Sequence, residues 1–203
     1  MPLVQVPPRG VWRQGGLPTW AAMDDWVPGP PPSTSAAEVV LRYLGAFGPA
    51  SVKDVQAWSG LTRLREVADG LRDRVRRFRD EGGTELLDLP DAPRPDPDVP
   101  APPRFLPEYD NVLLSHADRT RINPGGHRIP LYPGNGAAFG TVLVDGVLRG
   151  TWALDEGDGA ATLTVQPYEP LAPAAAEAVV GEGARLLGFV APGAVARDVR
   201  VAS

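Results

Sequence analysis

The chain has 203 residues, of which 43% are hydrophobic, and a formal net charge of −5 at pH 7. This size suffices for one large or two small cores, and no apolar run approaches the ~20 residues of a membrane-spanning helix. The absence of cysteine excludes disulfides, thiolate zinc sites and a cysteine nucleophile. His116 and His127 are the only histidines, so we expect no histidine-based metal site. We also expect no cofactor. The first residues lack the features of a secretion signal, which favours the cytoplasm.

Residues 1–32 open with a strand-like run, Leu3–Val6, followed by prolines and by tryptophans that no hydrophobic period connects. A strand needs a sheet to join, and this stretch offers no evident partner. Unless the run pairs with later parts of the chain, we interpret residues 1–32 as an N-terminal extension, the tail of a missing upstream domain. Its proline-rich end is a stiff connection to the next segment.

Residues 33–89 show three helical patterns followed by two short β-prone runs. The first two helices begin with the spacing of a capping box, at Ser35–Glu38 and at Ser51–Asp54, and the third opens near Thr62 and continues to Val75. The β-prone runs flank Gly82-Gly83, and glycine accepts the positive φ of a tight hairpin turn. Three helices and a hairpin in this order predict a winged helix over residues 33–89.

The third helix and the hairpin are rich in arginine. Seven arginines lie between residues 61 and 80 against four acids: Arg63, Arg65, Arg72, Arg74, Arg76, Arg77 and Arg79. A helix extending to Arg76 places Arg65, Asp69, Arg72 and Arg76 on one face at 4-3-4 spacing. Guanidinium groups on such a face can bind phosphates or read guanine. The alternative is a solvated face of arginine–carboxylate pairs.

Overall composition limits what these arginines prove. Nineteen of the twenty basic residues are arginine, a bias typical of a GC-rich coding sequence, and the net negative charge argues against non-specific coating of DNA. A local basic patch can still act within an acidic chain. The predicted DNA-binding set is Arg63, Arg65, Arg72, Arg76, Arg77 and Arg79.

The second half changes character twice. Residues 90–104 are dominated by proline and predict an extended linker, and Pro107 indicates the first turn of a short helix. From Ile129 onward a β pattern takes over, with a hairpin at Asp145-Gly146, a third strand at 161–168, a helix at 174–187 and a last strand near 199–201. Residues 105–203 therefore predict a small antiparallel β-barrel-like domain covered by one helix, so the fold class is α+β.

Three groups of residues resemble landmarks of a known family: Leu3–Trp12 (LVQVPPRGVW); Phe105–Asp110 (FLPEYD) with Leu113-Leu114 and Asp118-Arg119; and Val144–Gly146 (VDG) with Gly150–Trp152 (GTW). Their order and spacing resemble the winged-helix DNA-binding proteins of the AlkZ-like (YcaQ-like) DNA glycosylase family. The resemblance implies tandem winged helices and a β-barrel around a DNA channel. It also implies excision of N7-alkylated purines, unhooking of crosslinks and monofunctional hydrolysis of the N-glycosidic bond, whose oxocarbenium-like transition state an enzyme can stabilise electrostatically.

Family members carry catalysis in a Gln-x-Gln-type motif near the N-terminus, and this chain lacks it because Gln5 stands alone in Val-Gln-Val-Pro. We therefore assign no catalytic residue. The chain resembles only the C-terminal part of a family member, as expected from a truncated product, a misplaced start codon or a split gene. Whether the chain is an enzyme by itself is left open.

Asp110, Asp118 and Arg119 form a further candidate group, a family motif that is structural or shapes a site. The two carboxylates could do acid–base work, or the Asp-Arg dipeptide could be an ion pair that pins an interdomain contact. We interpret His116 as structural and Asn123–His127 as a turn, since the strand and helix of a phosphate loop are missing.

Three functions remain open at this point. The first is a DNA-binding module, a remnant or partner of a glycosylase, that binds double-stranded DNA, including alkylated DNA, and associates with the nucleoid. Alternatively, it is an active glycosylase whose catalytic half comes from a longer start or from a partner chain. The third function is a protein-interaction domain without a nucleic-acid role. No membrane partner is expected.

Overall fold

A computed structural model describes residues 2–12, 14–27, 29, 34–129 and 139–202. The fold is α+β. The described helices are α1 (Met23–Trp26), α2 (Ala36–Phe47), α3 (Val52–Ser59), α4 (Leu64–Gly70), α5 (Asn111–Leu114) and α6 (Pro173–Val190). The described strands are β1 (Leu3–Val6), β2 (Thr19–Ala22), β3 (Arg76–Arg79), β4 (Glu85–Asp88), β5 (Arg104–Leu106), β6 (Gly140–Val144), β7 (Val147–Gly157), β8 (Ala160–Pro167) and β9 (Ala196–Val201). Contacts divide the chain into two compact units, Met1–Val39 and Val40–Ser203.

The first unit contains an antiparallel pair of strands. Strand β1 pairs with β2 from Leu3↔Ala22 to Val6↔Thr19, and the backbone N–H of Met23 donates to the carbonyl of Pro2 at 3.0 Å. The predicted first strand therefore exists, and its partner lies within the same N-terminal stretch.

The second unit begins within α2, and the apolar faces of α2, α3 and α4 meet there. Ser51 caps α3 through the predicted capping box with Asp54, and Gly60, at φ 70°, ends that helix. An isolated bridge between Ala50 and Leu87 adds the segment before α3 to the β3–β4 hairpin. Because the helices are short, their stability comes from packing more than from propensity. The buried residues of this core are Val40, Tyr43, Leu44, Val52, Val55, Leu64, Ala68, Leu71, Val75 and Leu87.

The third helix is shorter than predicted. Helix α4 ends at Gly70, a 3₁₀ turn spans Arg72–Arg74, and Val75 is already extended. Glycine is a poor helix former, and pairing of β3 with β4 requires extended backbone from Arg76 onward. The expectation of one helical face shared by Arg65, Asp69, Arg72 and Arg76 is therefore wrong.

The C-terminal sheet has the order β5-β6-β7-β8-β9. Asp145 (φ 52°) and Gly146 (φ 72°) make the predicted hairpin turn between β6 and β7. All neighbours are antiparallel except β8 and β9, which are parallel, because α6 carries the chain back to the starting end of the sheet. Within the described residues β5 and β9 are the two edges of the sheet. The expected antiparallel, barrel-like closure is corrected to an open, mixed sheet.

The predicted helix at Pro107 is also corrected. Strand β5 precedes this proline, and α5 begins at Asn111, with the Asp110 side chain accepting from the backbone N–H of Val112 at 2.8 Å. A capping carboxylate satisfies an N–H that a helix start would otherwise leave without a partner, so Asp110 sets the start.

One face of the open sheet is covered by α6, as predicted. Gly183 faces Val199 so closely that a Cβ there would lie 2.9 Å from the Val199 Cγ1 atom. The residues buried between helix and sheet are Val142, Val144, Ala161, Leu163, Val165, Val179, Leu187 and Ala191.

Candidate nucleic-acid interface

The arginines of the predicted interface lie on three successive pieces of chain. Arg63 precedes α4 in the left-handed conformation, at φ 61°, and Arg65 lies on the helix. The 3₁₀ turn carries Arg72 and Arg74, and the hairpin strand β3 carries Arg76, Arg77 and Arg79. The surface is thus assembled from the start of a helix, the 3₁₀ turn that follows the helix and one strand of a hairpin.

Three of the six predicted DNA-binding arginines are held by carboxylates. Glu85 accepts from Arg65 through one oxygen and from Arg77 through the other, both at 2.7 Å. Arg77 also reaches Asp69 at 3.4 Å, and Arg63 pairs with Glu66 at 3.2 Å. The hydrogen bond from Arg77 lowers the pKa of Glu85, burial opposes this shift, and Arg65 reinforces it. For these three arginines the structure matches the alternative interpretation, a solvated face of arginine–carboxylate pairs.

The remaining arginines form what we call the open arginine set: Arg72, Arg74, Arg76 and Arg79. All four are exposed, and in the described ranges none has an ion pair with a carboxylate. Arg76 lies over the ring of Phe78, 5.7 Å from its centroid, and Arg79 donates to the carbonyl of Gly83 at 3.0 Å. The guanidinium groups of this set retain donors for a polyanion.

The loop after α5 is joined to α2 and α3 by hydrogen bonds of two buried side chains, Tyr43 and Asp54. The Tyr43 hydroxyl donates to the carbonyl of Ser115 at 2.6 Å. Asp54 is 5% exposed, and its Oδ1 accepts from the backbone N–H of Ala117 at 2.9 Å, while Oδ2 accepts from Ser51. Burial raises the pKa of the Tyr43 hydroxyl, the charge of Asp54 adds to this, and Arg121 opposes it. The hydroxyl therefore stays protonated and donates.

His116 has both ring nitrogens occupied. Its Nε2 lies 3.1 Å from the carbonyl oxygen of Phe47, and its Nδ1 lies 2.9 Å from the hydroxyl of Ser115. A carbonyl can only accept, so Nε2 carries a proton, and Nδ1 shares a hydrogen bond with the Ser115 hydroxyl. Its contacts are those of a structural residue.

The three residues of the further candidate group are not brought into one ion pair. Asp110 caps α5, and Asp118 accepts from the backbone N–H of Thr120 at 2.9 Å. Hydrogen bonds from the backbone and then the hydroxyl of Thr120 lower the pKa of Asp118, burial opposes them, and the charges of Arg121 and His116 reinforce them. Among the described residues Arg119 has no carboxylate partner, so the predicted Asp-Arg ion pair is absent. The backbone N–H of Asp118 instead contacts Asp54 at 3.4 Å.

A groove of about 910 Å³ lies between the start of α3, the hairpin turn and the loop after α5. Its lining carries both signs of charge, with Arg79 and Arg121 opposed by Asp80, Glu81 and Asp118. Within the described part of the chain, no group of three histidine, aspartate or glutamate side chains could hold a metal ion. No helix in that part is long and apolar enough to cross a membrane.

Sequence reasoning missed Tyr43 and Ser115, and recognised Asp54 only as a cap. The capping box could be predicted from the sequence because its two partners are three residues apart. Asp54 and Ala117, in contrast, are 63 positions apart. No local pattern indicates such a contact.

These elements define a class of α+β protein in which three helices and a hairpin present an arginine-rich surface beside an open, helix-covered sheet. A family model described as DNA glycosylase AlkZ-like matches residues 1–189. The chain therefore belongs to the AlkZ-like DNA glycosylase family, as the sequence landmarks predicted.

A solved structure supports the same relationship. The DNA glycosylase AlkZ of Streptomyces sahachiroi superposes with a TM-score of 0.61 and 25% identity, over 82% of this chain and 45% of that chain. The chain thus spans less than half the length of that protein. No curated protein matches it.

Proposed function

We propose that this chain is a DNA-binding part of an AlkZ-like glycosylase system, acting in the cytoplasm at the nucleoid, with residues 33–89 as a winged helix on double-stranded DNA. Three helices, a hairpin and the bridge between Ala50 and Leu87 support the winged-helix assignment. Membership of a DNA glycosylase family supports DNA as the partner. The observation that carries the proposal is the open arginine set, exposed and without carboxylate partners in the described residues.

The geometry favours phosphate contacts over base reading. Helix α4 has seven residues, and its exposed Arg65 is engaged by Glu85. Arg72 follows the helix in the 3₁₀ turn, Arg76 and Arg79 lie on the hairpin strand β3, and all three side chains are exposed. Phosphate contacts position a protein on DNA without reading its sequence. We therefore propose binding with weak sequence preference.

The test is the salt dependence of binding to a fluorescently labelled duplex, measured by anisotropy. Each neutralised phosphate contributes about −0.9 to the slope of log affinity against log salt concentration. For the double variant Arg72→Ala/Arg76→Ala we expect weaker binding and a slope less steep by about 2. A loss of ~1–3 kcal/mol for either arginine would indicate base reading.

The matched control is the double variant Arg185→Ala/Arg200→Ala. It removes the same charge at exposed positions that pair with Glu182 and Asp198. An equal loss in both variants would assign the effect to net charge. Absence of wild-type binding at low salt would favour an interaction domain without a nucleic-acid role.

The second candidate is an active glycosylase whose catalytic half is supplied by a longer start or by a partner chain. The observation that favours it is the coverage of only 45% of the AlkZ chain. Release of N7-methylguanine from alkylated duplex DNA by the chain alone, measured by chromatography, would support independent activity. Release only after a catalytic partner chain is added would support the divided enzyme.

A further inference from the structure

A second cavity, of about 400 Å³, has Thr120 in common with the large groove and is otherwise lined by different residues. Its lining includes Arg119, Thr120, His127 and Arg128 and contains no carboxylate. Neither guanidinium has an ion pair with a described residue. Asp118, the nearest acid in sequence, lines the groove and not this cavity. The volume is within the range of roughly 300–1,000 Å³ for small-molecule sites.

The turn that precedes Arg128 is held by hydrogen bonds and a ring contact within the chain. The Asn123 side chain donates to the carbonyl of His127 at 2.7 Å and accepts from its backbone N–H at 3.0 Å. The His127 ring stacks on Tyr168 with centroids 4.4 Å apart and planes at 16°. The Tyr168 hydroxyl donates to the carbonyl of Arg128 at 3.2 Å. Because the turn is already held in one conformation, ligand binding loses less conformational entropy there.

We propose that this cavity binds a phosphate group of the DNA backbone through Arg119 and Arg128, as a second point of contact separate from the open arginine set. The assignment to DNA rests on the proposed function. Two guanidinium groups without an acidic neighbour in the lining match a phosphate, because each can donate two parallel hydrogen bonds to its oxygens. A neutral or cationic ligand would leave both positive charges uncompensated.

The cavity is also distinct in composition from the large groove. The groove combines Arg79 and Arg121 with three exposed carboxylates, Asp80, Glu81 and Asp118, which would repel a phosphate. Residues of the segment 117–120 line both sites, and hydrogen bonds to Asp54 hold the backbone of Ala117 and Asp118. The same buried carboxylate that joins α3 to this loop therefore also holds the backbone immediately before Arg119.

The first part of the test is nuclear magnetic resonance of the ¹⁵N-labelled chain, titrated with inorganic phosphate and, separately, with a short duplex. We expect saturable shifts of the Arg119 and Arg128 Nε–Hε signals with both probes. Arg119→Gln/Arg128→Gln should abolish the shift of the His127 amide with phosphate, and Arg185→Gln/Arg200→Gln should not. The backbone spectrum of each variant reports whether it remains folded. No saturable shift with either probe would overturn the site.

The second part is the salt slope of duplex binding. Arg119→Gln/Arg128→Gln should make the slope less steep by about 1, for one lost phosphate, and Arg119→Lys/Arg128→Lys should restore part of it. Phosphate shifts with an unchanged slope would overturn the assignment to DNA and leave a free phosphate as the ligand. Phosphate shifts without any duplex binding by the wild type would contradict the proposed function instead.

Discussion

At the scale of single residues, Asp54 has two roles that depend on its two oxygens. Oδ2 completes the capping box with Ser51, and Oδ1 accepts from the backbone of Ala117 and Asp118. A buried N–H that loses its acceptor costs about 1–3 kcal/mol, and loss of a cap costs about 1 kcal/mol. The second role is long-range and should be separable from the first.

We predict that Asp54→Ala lowers the free energy of unfolding by about 1–3 kcal/mol more than Ser51→Ala. Both variants remove the capping box, but only the first leaves the loop at Ala117 without its acceptor. Urea denaturation followed by circular dichroism measures the difference. Equal losses would show that the contact with the loop adds nothing to stability.

At the scale of elements, two glycines of α6, Gly181 and Gly183, differ in how closely they approach the sheet. A Cβ at Gly183 would lie 2.9 Å from Val199, whereas Gly181 has no atom within 4 Å of the same position. Alanine in place of either glycine gains roughly 0.5–1 kcal/mol in helix propensity. Only at Gly183 does the added methyl group collide with a β-branched side chain, which has little rotamer freedom.

We predict that Gly181→Ala stabilises the chain and that Gly183→Ala destabilises it. The two variants share the same gain in propensity, so their difference, about 1–3 kcal/mol, measures overpacking alone. Thermal or urea unfolding gives both values. If the two variants were equally stable, the close approach of α6 to β9 would be wrong.

At the scale of the molecule, the three-helix segment and the open sheet are joined within the second unit. The loop after α5 makes buried contacts with Tyr43 and Asp54, and Arg121 donates to the carbonyl of Pro49 at 3.2 Å. Strand β5, which precedes α5, pairs with β6 of the sheet. The loop is hydrogen-bonded to the helical segment, and the same stretch of chain contributes β5 to the sheet. We therefore expect the two parts to unfold together.

We predict coincident unfolding of two single-tryptophan variants, one retaining Trp58 beside Tyr43 in the helical segment and the other Trp152 on β7. In each variant the other tryptophans are replaced by phenylalanine. Coincident fluorescence transitions in urea indicate one cooperative unit. Asp54→Ala should lower both midpoints, whereas a shift of the Trp58 transition alone would contradict the coupling.

Much of the local structure was predictable because its causes lie within a few residues. Both capping boxes form, at Ser35 and Ser51, and Gly83 (φ 81°) and Asp145-Gly146 make the expected hairpin turns. The landmark residues also identified the family. Each of these signals is short-range: a cap joins residues three apart, and a turn needs positive φ at one or two positions.

Tertiary structure decided what local pattern could not. Pairing of β3 with β4 ends the third helix early, and α6 brings β9 into a parallel position at the sheet edge. Glu85 engages Arg65 and Arg77 and leaves the open arginine set exposed. Arg65 and Arg77 pair with a carboxylate that is 20 and 8 positions away in sequence, respectively. Residues so far apart become neighbours only when the chain has folded.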